Sequence, residues 1–347
     1  MREMLKTVEV QVRGLDVEVM EEARGRWDQL TKPLGSLGKL EEIGIRLAGI
    51  QGTVLPSVER RAVVVMCGDH GVTAEGVSAY PSAVTGLMMQ NFSNGRAAVN
   101  VLARQMGADV HVVDIGSACE DDIPNIVREK VKPGTDNMAV GPAMTREEAV
   151  RALEVGMGFA RKLSSEGVQV IALGEMGIGN TTPSSAIASV LTSHPLAELV
   201  GRGTGIEESV LPHKGHVIQR ALEVNQPNPD DAVDVLAKVG GLEIAGLAGV
   251  VLGAASEGVA VLVDGVIAAA AALVAYRVEP KVGPYLFASH LSQEPAHRIL
   301  LEAMELSPML HLEMRLGEGT GAVLAMPLLQ SATRLVQEMA TFADLGL

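Results

Sequence analysis

The sequence predicts an α/β protein built on a mainly parallel, open sheet with helices over both faces. Three observations lead there. Short, continuously apolar runs recur along the chain, most of them end in a glycine-rich turn, and helical patterns follow those turns. Strands covered by helices on both faces lose the in–out alternation of a half-exposed sheet and read as unbroken Val, Ile and Leu runs. Hydrophobic residues are 47% of the chain and aromatics 2%, so the core must be aliphatic, and 38 glycines imply tight turns and close backbone approaches.

Residues 1–50 carry helical patterns without a strand. Ala62–Cys67 is the first strand and ends in Gly68-Asp69-His70-Gly71, after which Ala83–Gln105 reads as one long helix. Val110–Ile115 is the second strand. Residues 116–144 are polar, with three prolines, and are expected to form a long surface connection. A Thr145/Glu148 capping pair opens a helix over Thr145–Glu166. Val168–Leu173 is the third strand and runs into Gly174–Thr182. Val259–Val263, ending in Asp264-Gly265, is the fourth, and Tyr285–Ser289 is a fifth. Thr320–Phe342 is a long helical stretch. Residues 1–60 and 320–347 are therefore expected to form a small helical cap domain on a large, Rossmann-like α/β domain spanning 61–319. In such a sheet ligands bind beyond the carboxyl ends of the strands, so Gly68–Gly71, Gly174–Thr182, Asp264-Gly265 and Ser289–Ser292 should gather on one rim.

Charge narrows the function. With 28 basic against 42 acidic residues the net charge is −14, which argues against a broad nucleic-acid or anionic-membrane surface and leaves room for one local phosphate pocket. The apolar stretch Gly258–Tyr276 is divided by Asp264 into runs too short for a membrane span. A buried strand followed by a buried helix is expected there. Met1–Arg26 is charged throughout, without the apolar segment of a secretory signal, and Cys67 and Cys119 are too few for a disulfide framework. A soluble, cytoplasmic protein is the expectation.

Five segments carry candidate chemistry. In GEMGIGNTT (Gly174–Thr182) flexible positions follow a strand and precede a helix, which makes a nest of N–H groups for an anion or a ribose. The alternative is a plain strand-to-helix turn, although Glu175 is poorly placed there for packing. The segment is neither a P-loop nor the G-x-G-x-x-G fingerprint. GRGTG (Gly201–Gly205), followed by Pro212-His213-Lys214, is a second phosphate cradle in which Lys214 supplies a point charge, unless it is a solvated surface lysine. In LGEGTGA (Leu316–Ala322) glycines on both sides open Glu318 to a ligand, and desolvation raises a glutamate's pKa toward general-base range. Equally, this is a helix N-terminus capped by Thr320. Asp69-His70 suggests a metal pair or an acid–base dyad, and His290 with Glu294 and His297 a metal site, but as metal signals both are weak, because no H-x-x-x-H, H-E-x-x-H or histidine-adjacent Cys pair occurs. Hydrogen-bonded loop histidines and no metal are expected. Leu87-Met88-Met89 could be core, interface or pocket wall, with core the first expectation.

Taken in order, TKPLGSLGKLEE (Thr31–Glu42), GDHGV (Gly68–Val72), EGVSAYP (Glu75–Pro81), GEMGIGNTT, GRGTG, GGLEIAG (Gly240–Gly246), Asp264-Gly265, SHLSQEPAH (Ser289–His297) and LGEGTGA give the chain its resemblance to one family. It resembles the nicotinate-nucleotide:dimethylbenzimidazole phosphoribosyltransferases of cobalamin lower-ligand assembly, from about Thr31 to Pro327. The resemblance implies transfer of phosphoribose from nicotinate mononucleotide to 5,6-dimethylbenzimidazole, giving α-ribazole 5′-phosphate and nicotinate, without a cofactor and in a homodimer. It implies that Glu318 is the base and that Glu175 is also important. Ser78, Tyr80 and Gln90 match the family's ring pocket. Asn180, Thr181, Gly203, Thr204, Gly205, Lys214 and Ser292 match its phosphate and ribose contacts, Gly177 and Gly317 are further substrate contacts, and Asp264 lies near the nicotinate end.

The chemistry is consistent with these residues. A nicotinate leaving group starts as a pyridinium, so its departure needs no metal-bound pyrophosphate, and inversion from β to α in one displacement needs a single base. Two alternatives compete. A Rossmann-like nucleotide-dependent oxidoreductase should show G-x-G-x-x-G at the first strand, which Gly68–Gly71 does not fit. A non-catalytic nucleotide- or corrinoid-binding protein leaves the two glutamates inside glycine turns unexplained.

Overall fold

The computed structural model describes residues 12–203 and 205–346. Six strands, β1 (Arg61–Gly68), β2 (Asp109–Gly116), β3 (Ile126–Arg128), β4 (Val170–Met176), β5 (Ala260–Val263) and β6 (Leu286–Ala288), form one parallel sheet in the order β3-β2-β1-β4-β5-β6. The chain winds outward from β1 to β3, then crosses back to β4 and winds outward on the other side. The direction reverses between β1 and β4, where a crevice opens at the carboxyl ends of the strands. The Rossmann-like expectation holds.

The helices are α1 (Val17–Gln29), α2 (Lys39–Gln51), α3 (Val84–Ser93), α4 (Ala98–Met106), α5 (Arg146–Ser165), α6 (Thr181–Thr192), α7 (Leu196–Leu199), α8 (Leu211–Asn225), α9 (Ala232–Val239), α10 (Leu242–Ser256), α11 (Val266–Val278), α12 (Pro295–Ala303) and α13 (Thr320–Glu338). The capping pair opens α5 as expected: Glu148 N–H donates to Thr145 Oγ1 at 3.1 Å and Thr145 N–H to Glu148 Oε2 at 2.8 Å. Helix α10 packs on β1, β2, β4 and β5 and lies against α5. The two helices touch backbone to backbone, since a Cβ on Gly156 would stand 1.9 Å from the Gly246 carbonyl oxygen. Gly258–Tyr276 is the buried strand and helix expected, β5 and α11, and no helix among the described residues is long and apolar enough to cross a membrane.

Helices α1, α2 and the end of α13 enclose a small second core of Ala23, Trp27, Leu30, Ile45, Ala48 and Val336. The first half of α13 belongs elsewhere, because Ala322, Val323, Ala325, Met326 and Leu329 lie in the main core.

Three expectations are corrected. The helix read over Ala83–Gln105 is two helices, broken at Gly95, which adopts φ +68° after α3 ends at Asn94. The connection 116–144 does not stay on the surface: it supplies the edge strand β3, and Met138, Ala139, Ala143 and Met144 are buried. Its polar composition hid a strand only three residues long. Leu87-Met88-Met89 is not uniformly core, since Met89 is buried, Met88 faces a cavity and Leu87 is 64% exposed.

Candidate active site

A cavity of about 360 Å³ lies at the carboxyl rim of the sheet. Tyr80, Val84, Met88, Met176, Ile178, Val266, Ile267 and Leu316 give it an apolar lining, and Glu175, Asn180, Thr181, His290, Ser292, Glu294, Arg315 and Glu318 give it a polar one. Such a two-sided lining suits a flat ring held beside a hydroxyl- and anion-bearing group.

Glu318 sits in the turn before α13. Gly317, Glu318 and Gly319 all have positive φ (+85°, +63° and +89°), and for the non-glycine residue this left-handed conformation is costly. Gly317 has no alternative, because a Cβ there would stand 2.3 Å from Glu175 Oε1. Thr320 does not cap the helix. Its hydroxyl donates to the Gly317 carbonyl at 2.7 Å, while a carboxylate from the end of β5, Asp264, receives Gly319 N–H at 3.2 Å and Ala322 N–H at 2.9 Å. The Glu318 carboxylate is buried, and Val99 N–H, in the first turn of α4, points at its Oε2 from 3.5 Å. The break at Gly95 therefore has a consequence for the site, since it creates the helix N-terminus that faces this carboxylate. Burial raises the Glu318 pKa above the usual glutamate value, the Val99 N–H opposes, and the Asp264 charge adds to the rise.

Glu175, near the end of β4, is 7% exposed and receives Asn180 Nδ2–H. Burial is the main cause that pushes its pKa up to about 8; Asn180 opposes this, the charges of Glu243 and Asp264 reinforce it, and the Glu318 N–H opposes it. Two buried carboxyls with raised proton affinity in one cleft mark a site for acid–base or charge-stabilising work.

At the other end Lys214 is fully buried beneath the Gly201–Gly203 loop, so it is not a solvated lysine. Its Nζ donates to Thr181 Oγ1 at 2.7 Å and to the Gly201 carbonyl at 3.1 Å, and Gly203 N–H donates to Glu294 Oε1 at 3.0 Å. Burial lowers the Lys214 pKa to about 8, partly offset by Glu294. The exposed cation of this cavity is Arg315, whose Nη1 donates to the Gly203 carbonyl at 3.3 Å. With Thr181 opening α6, the loop and Arg315 offer donors for an anion at this end, beside the Glu294 carboxylate that already takes the Gly203 N–H.

The three histidines weighed as metal signals are hydrogen-bonded, His290 Nδ1 lying 3.0 Å from Ser289 Oγ. His70 Nε2 lies 2.6 Å from Glu243 Oε1 in a buried pair; burial works against the charged ring, but Glu243 outweighs it and the His70 pKa is raised. His297 Nδ1 receives Ser292 N–H at 2.9 Å, and burial with the neighbouring His290 lowers its pKa to about 3. No group of three metal-ligating side chains converges among the described residues.

Of the residues singled out in the sequence, Tyr80, Glu175, Gly177, Asn180, Thr181, Gly203, Ser292, Gly317 and Glu318 line the cavity. Lys214 and Asp264 stand behind the lining. Ser78 does not reach it, its Oγ receiving Tyr80 N–H at 3.3 Å. Gln90 is exposed on α3 and lines a separate groove with Ser82 and Cys119, and Gly205 is exposed beside Arg315. Thr204 lies outside the described residues. Sequence reasoning missed Arg315 and, apart from Met88, the apolar wall of Val84, Met176, Ile178, Val266, Ile267 and Leu316. Arg315 directly precedes LGEGTGA, so its place beside that motif was the available signal.

Comparison with known proteins agrees with this geometry. A family model described as DBI_PRT, phosphoribosyltransferase, matches residues 12–347. The nicotinate-nucleotide–dimethylbenzimidazole phosphoribosyltransferase of Desulforamulus reducens is 55% identical over 337 residues, covering 96% of each chain. Its namesake from Dehalococcoides mccartyi is 50% identical over 345 residues, 99% of this chain and 98% of that one. The crystal structure of CobT from Thermus thermophilus superposes with a TM-score of 0.91 at 48% identity, covering 95% of this chain and 99% of that one.

Proposed function

As this chain belongs to the nicotinate-nucleotide–dimethylbenzimidazole phosphoribosyltransferase family, we infer that it transfers phosphoribose from nicotinate mononucleotide to 5,6-dimethylbenzimidazole, releasing α-ribazole 5′-phosphate and nicotinate. The oxidoreductase and non-catalytic alternatives fall with that membership. One observation carries the mechanistic reading: two buried carboxyls, Glu175 and Glu318, line one cavity with an apolar wall and an anion-binding end.

Glu318 is the base. A benzimidazole ring against Met88, Met176, Ile178 and Leu316 presents one ring nitrogen to C1′ of the nucleotide while the N–H of the other loses its proton to Glu318. The new N–C1′ bond forms as the C1′–nicotinate bond breaks, and the bonding pair neutralises the pyridinium. Burial supplies the raised proton affinity that a base needs near neutral pH, and the Val99 N–H keeps the carboxylate aimed. Glu175 stands where positive charge grows on the ribose, and its ionised form, disfavoured in the empty cavity, is favoured once the pyridinium nucleotide arrives. Asn180, Thr181 and Ser292 serve the ribose and phosphate, with Arg315 as the phosphate's counter-charge and Lys214 holding the loop. A cytoplasmic homodimer is the assembly that the family resemblance supports, and light scattering at micromolar concentration checks it.

The experiment is incubation with nicotinate mononucleotide and dimethylbenzimidazole in EDTA, with release of nicotinate as readout. The expected result is turnover of both substrates in equal amounts. Activity that appears only when a divalent cation is restored would overturn the metal-free reading, and no release under either condition would overturn the reaction.

A further inference from the structure

Asp264 follows the last residue of β5 and is 2% exposed, yet it does not line the cavity. Both its oxygens are spent on another segment, Oδ2 receiving Gly319 N–H at 3.2 Å and Oδ1 receiving Ala322 N–H at 2.9 Å. These donors flank the start of α13, whose N-cap, Gly319, has no side chain to do the work. The residue between Gly317 and Gly319 is Glu318, a non-glycine in left-handed conformation. An L residue holds that conformation only where its surroundings over-determine it. Behind it, Gly174 rests on the turn: a Cβ there would stand 2.5 Å from the Glu318 carbonyl oxygen.

We propose that Asp264 is a positioning residue for Glu318, locking the left-handed turn that presents this carboxylate and keeping a second negative charge behind it. The proposal rests on the reading of Glu318 as base. Its two parts differ in consequence. The hydrogen bonds fix where the carboxylate points, and the charge disfavours ionisation of Glu318, so that the base holds a proton more tightly than burial alone provides. The groups facing this pair are Glu175 from β4, the Val99 N–H from α4, His297 from α12, and His290 beyond β6, with Nδ1 3.9 Å from Asp264 Oδ1. Burial raises the Asp264 pKa, while His290 and the N–H groups of Ala322, Gly319 and Gly265 oppose that rise and favour its charged form. A residue that only caps a helix has the first effect on stability and none on the proton affinity of a neighbour.

The test is kcat and KM across pH for Asp264→Asn in the full-length enzyme. Asparagine keeps one acceptor oxygen but turns an amide N–H toward the second donor, so the charge and one of the two hydrogen bonds are lost together while one tie to the turn remains. The acid limb of kcat is expected to move to lower pH, and kcat on the plateau to fall by about tenfold or more, since misplacing a catalytic group costs up to roughly 10²-fold. KM for either substrate should change little. In a Glu318→Gln background the same substitution should add almost nothing. If Asp264→Asn does not fold, Asp264→Ser, a shorter uncharged cap, takes its place. An acid limb that stays at its wild-type pH, or a loss that adds in full to that of Glu318→Gln, overturns the proposal. The two failures separate: a fully active Glu318→Gln removes the base, whereas an inactive Glu318→Gln beside an unshifted Asp264→Asn removes only the positioning role.

Discussion

Two carboxyls, Glu175 and Glu318, line one cavity, and their separate surroundings decide which keeps its proton. Asp264 lies behind both, but Glu318 faces a helix N-terminus through Val99, whereas Glu175, chiefly through burial and with Glu243 also behind it, has its pKa pushed up to about 8. The empty enzyme near neutral pH thus holds a neutral Glu175 beside a readier base. Glu318→Gln should keep the fold and both ligands and lose roughly 10²–10⁴-fold in turnover, the usual worth of a positioned base; near-wild-type turnover would remove that assignment. For Glu175 the linkage has a definite sign. Its folded pKa lies above the ordinary glutamate value of 4.5, so the stability due to its neutral form is whole below about pH 4.5 and is lost as pH rises toward about 8. Thermal melts of the unliganded protein should show Tm falling less between about pH 5 and pH 8 in Glu175→Gln than in wild type, with turnover impaired in the same variant. Equal slopes would mean that Glu175 is not a costly buried acid. At the anion-binding end, Arg315→Ala should raise KM for nicotinate mononucleotide by about ten- to a hundredfold, the value of a hydrogen bond to a charged group, and leave nicotinate riboside unaffected. Lys214→Ala, which unties Thr181 from Gly201, should harm both substrates. A riboside loss equal to the nucleotide loss in Arg315→Ala would detach Arg315 from the phosphate.

At the level of elements, the site is assembled from ends: the carboxyl ends of β4 and β5 and the N-termini of α4, α6 and α13 all meet at it. Glu175, Asn180, Thr181 and Glu318 were legible because glycine-rich strand ends and turns announce themselves in sequence. The role of α4 was not legible. Ala83–Gln105 keeps an apolar period across Asn94-Gly95, and only the tertiary fit shows that the glycine turns the chain left-handed and opens a second helix toward Glu318. Gln90 was named from a family position alone, and the helix carrying it presents it to a neighbouring groove. The turn before α13 offers a direct check on how the ends are fitted together. Gly317→Ala places a methyl against Glu175 Oε1 and forces an L residue into positive φ, which costs about 1–2 kcal/mol. It should lower Tm and depress kcat more than KM, because it displaces both carboxyls without touching the anion-binding end. Unchanged Tm and kcat in Gly317→Ala would show that the turn relaxes freely.

The sheet order and its rim follow from buried strands alternating with helices, but how the terminal helices join the whole molecule depends on packing that no local pattern records. Trp27, the single tryptophan of the chain, is 1% exposed in the small core shared by α1, α2 and the end of α13. The 19 residues of α13 bridge that core and the active site, since its first turn is held by Asp264 and its first half lies in the main core. A helix shared between two cores transmits unfolding from one to the other, because melting its C-terminal half exposes Val336 and frays the turns that hold Leu329 and Met326. The cap expected over residues 1–60 and 320–347 is accordingly proposed to be joined to the large domain in stability. In urea, tryptophan fluorescence should report the same midpoint as far-ultraviolet circular dichroism and as loss of activity, the signature of one cooperative transition. Trp27→Phe supplies a blank for the fluorescence signal, and Trp27→Ala should cost about 3–5 kcal/mol, as for a large buried aromatic, and shift the dichroism and activity midpoints together. Fluorescence that changes at lower urea than activity would instead show that the cap melts by itself and that the base on α13 keeps its place without it.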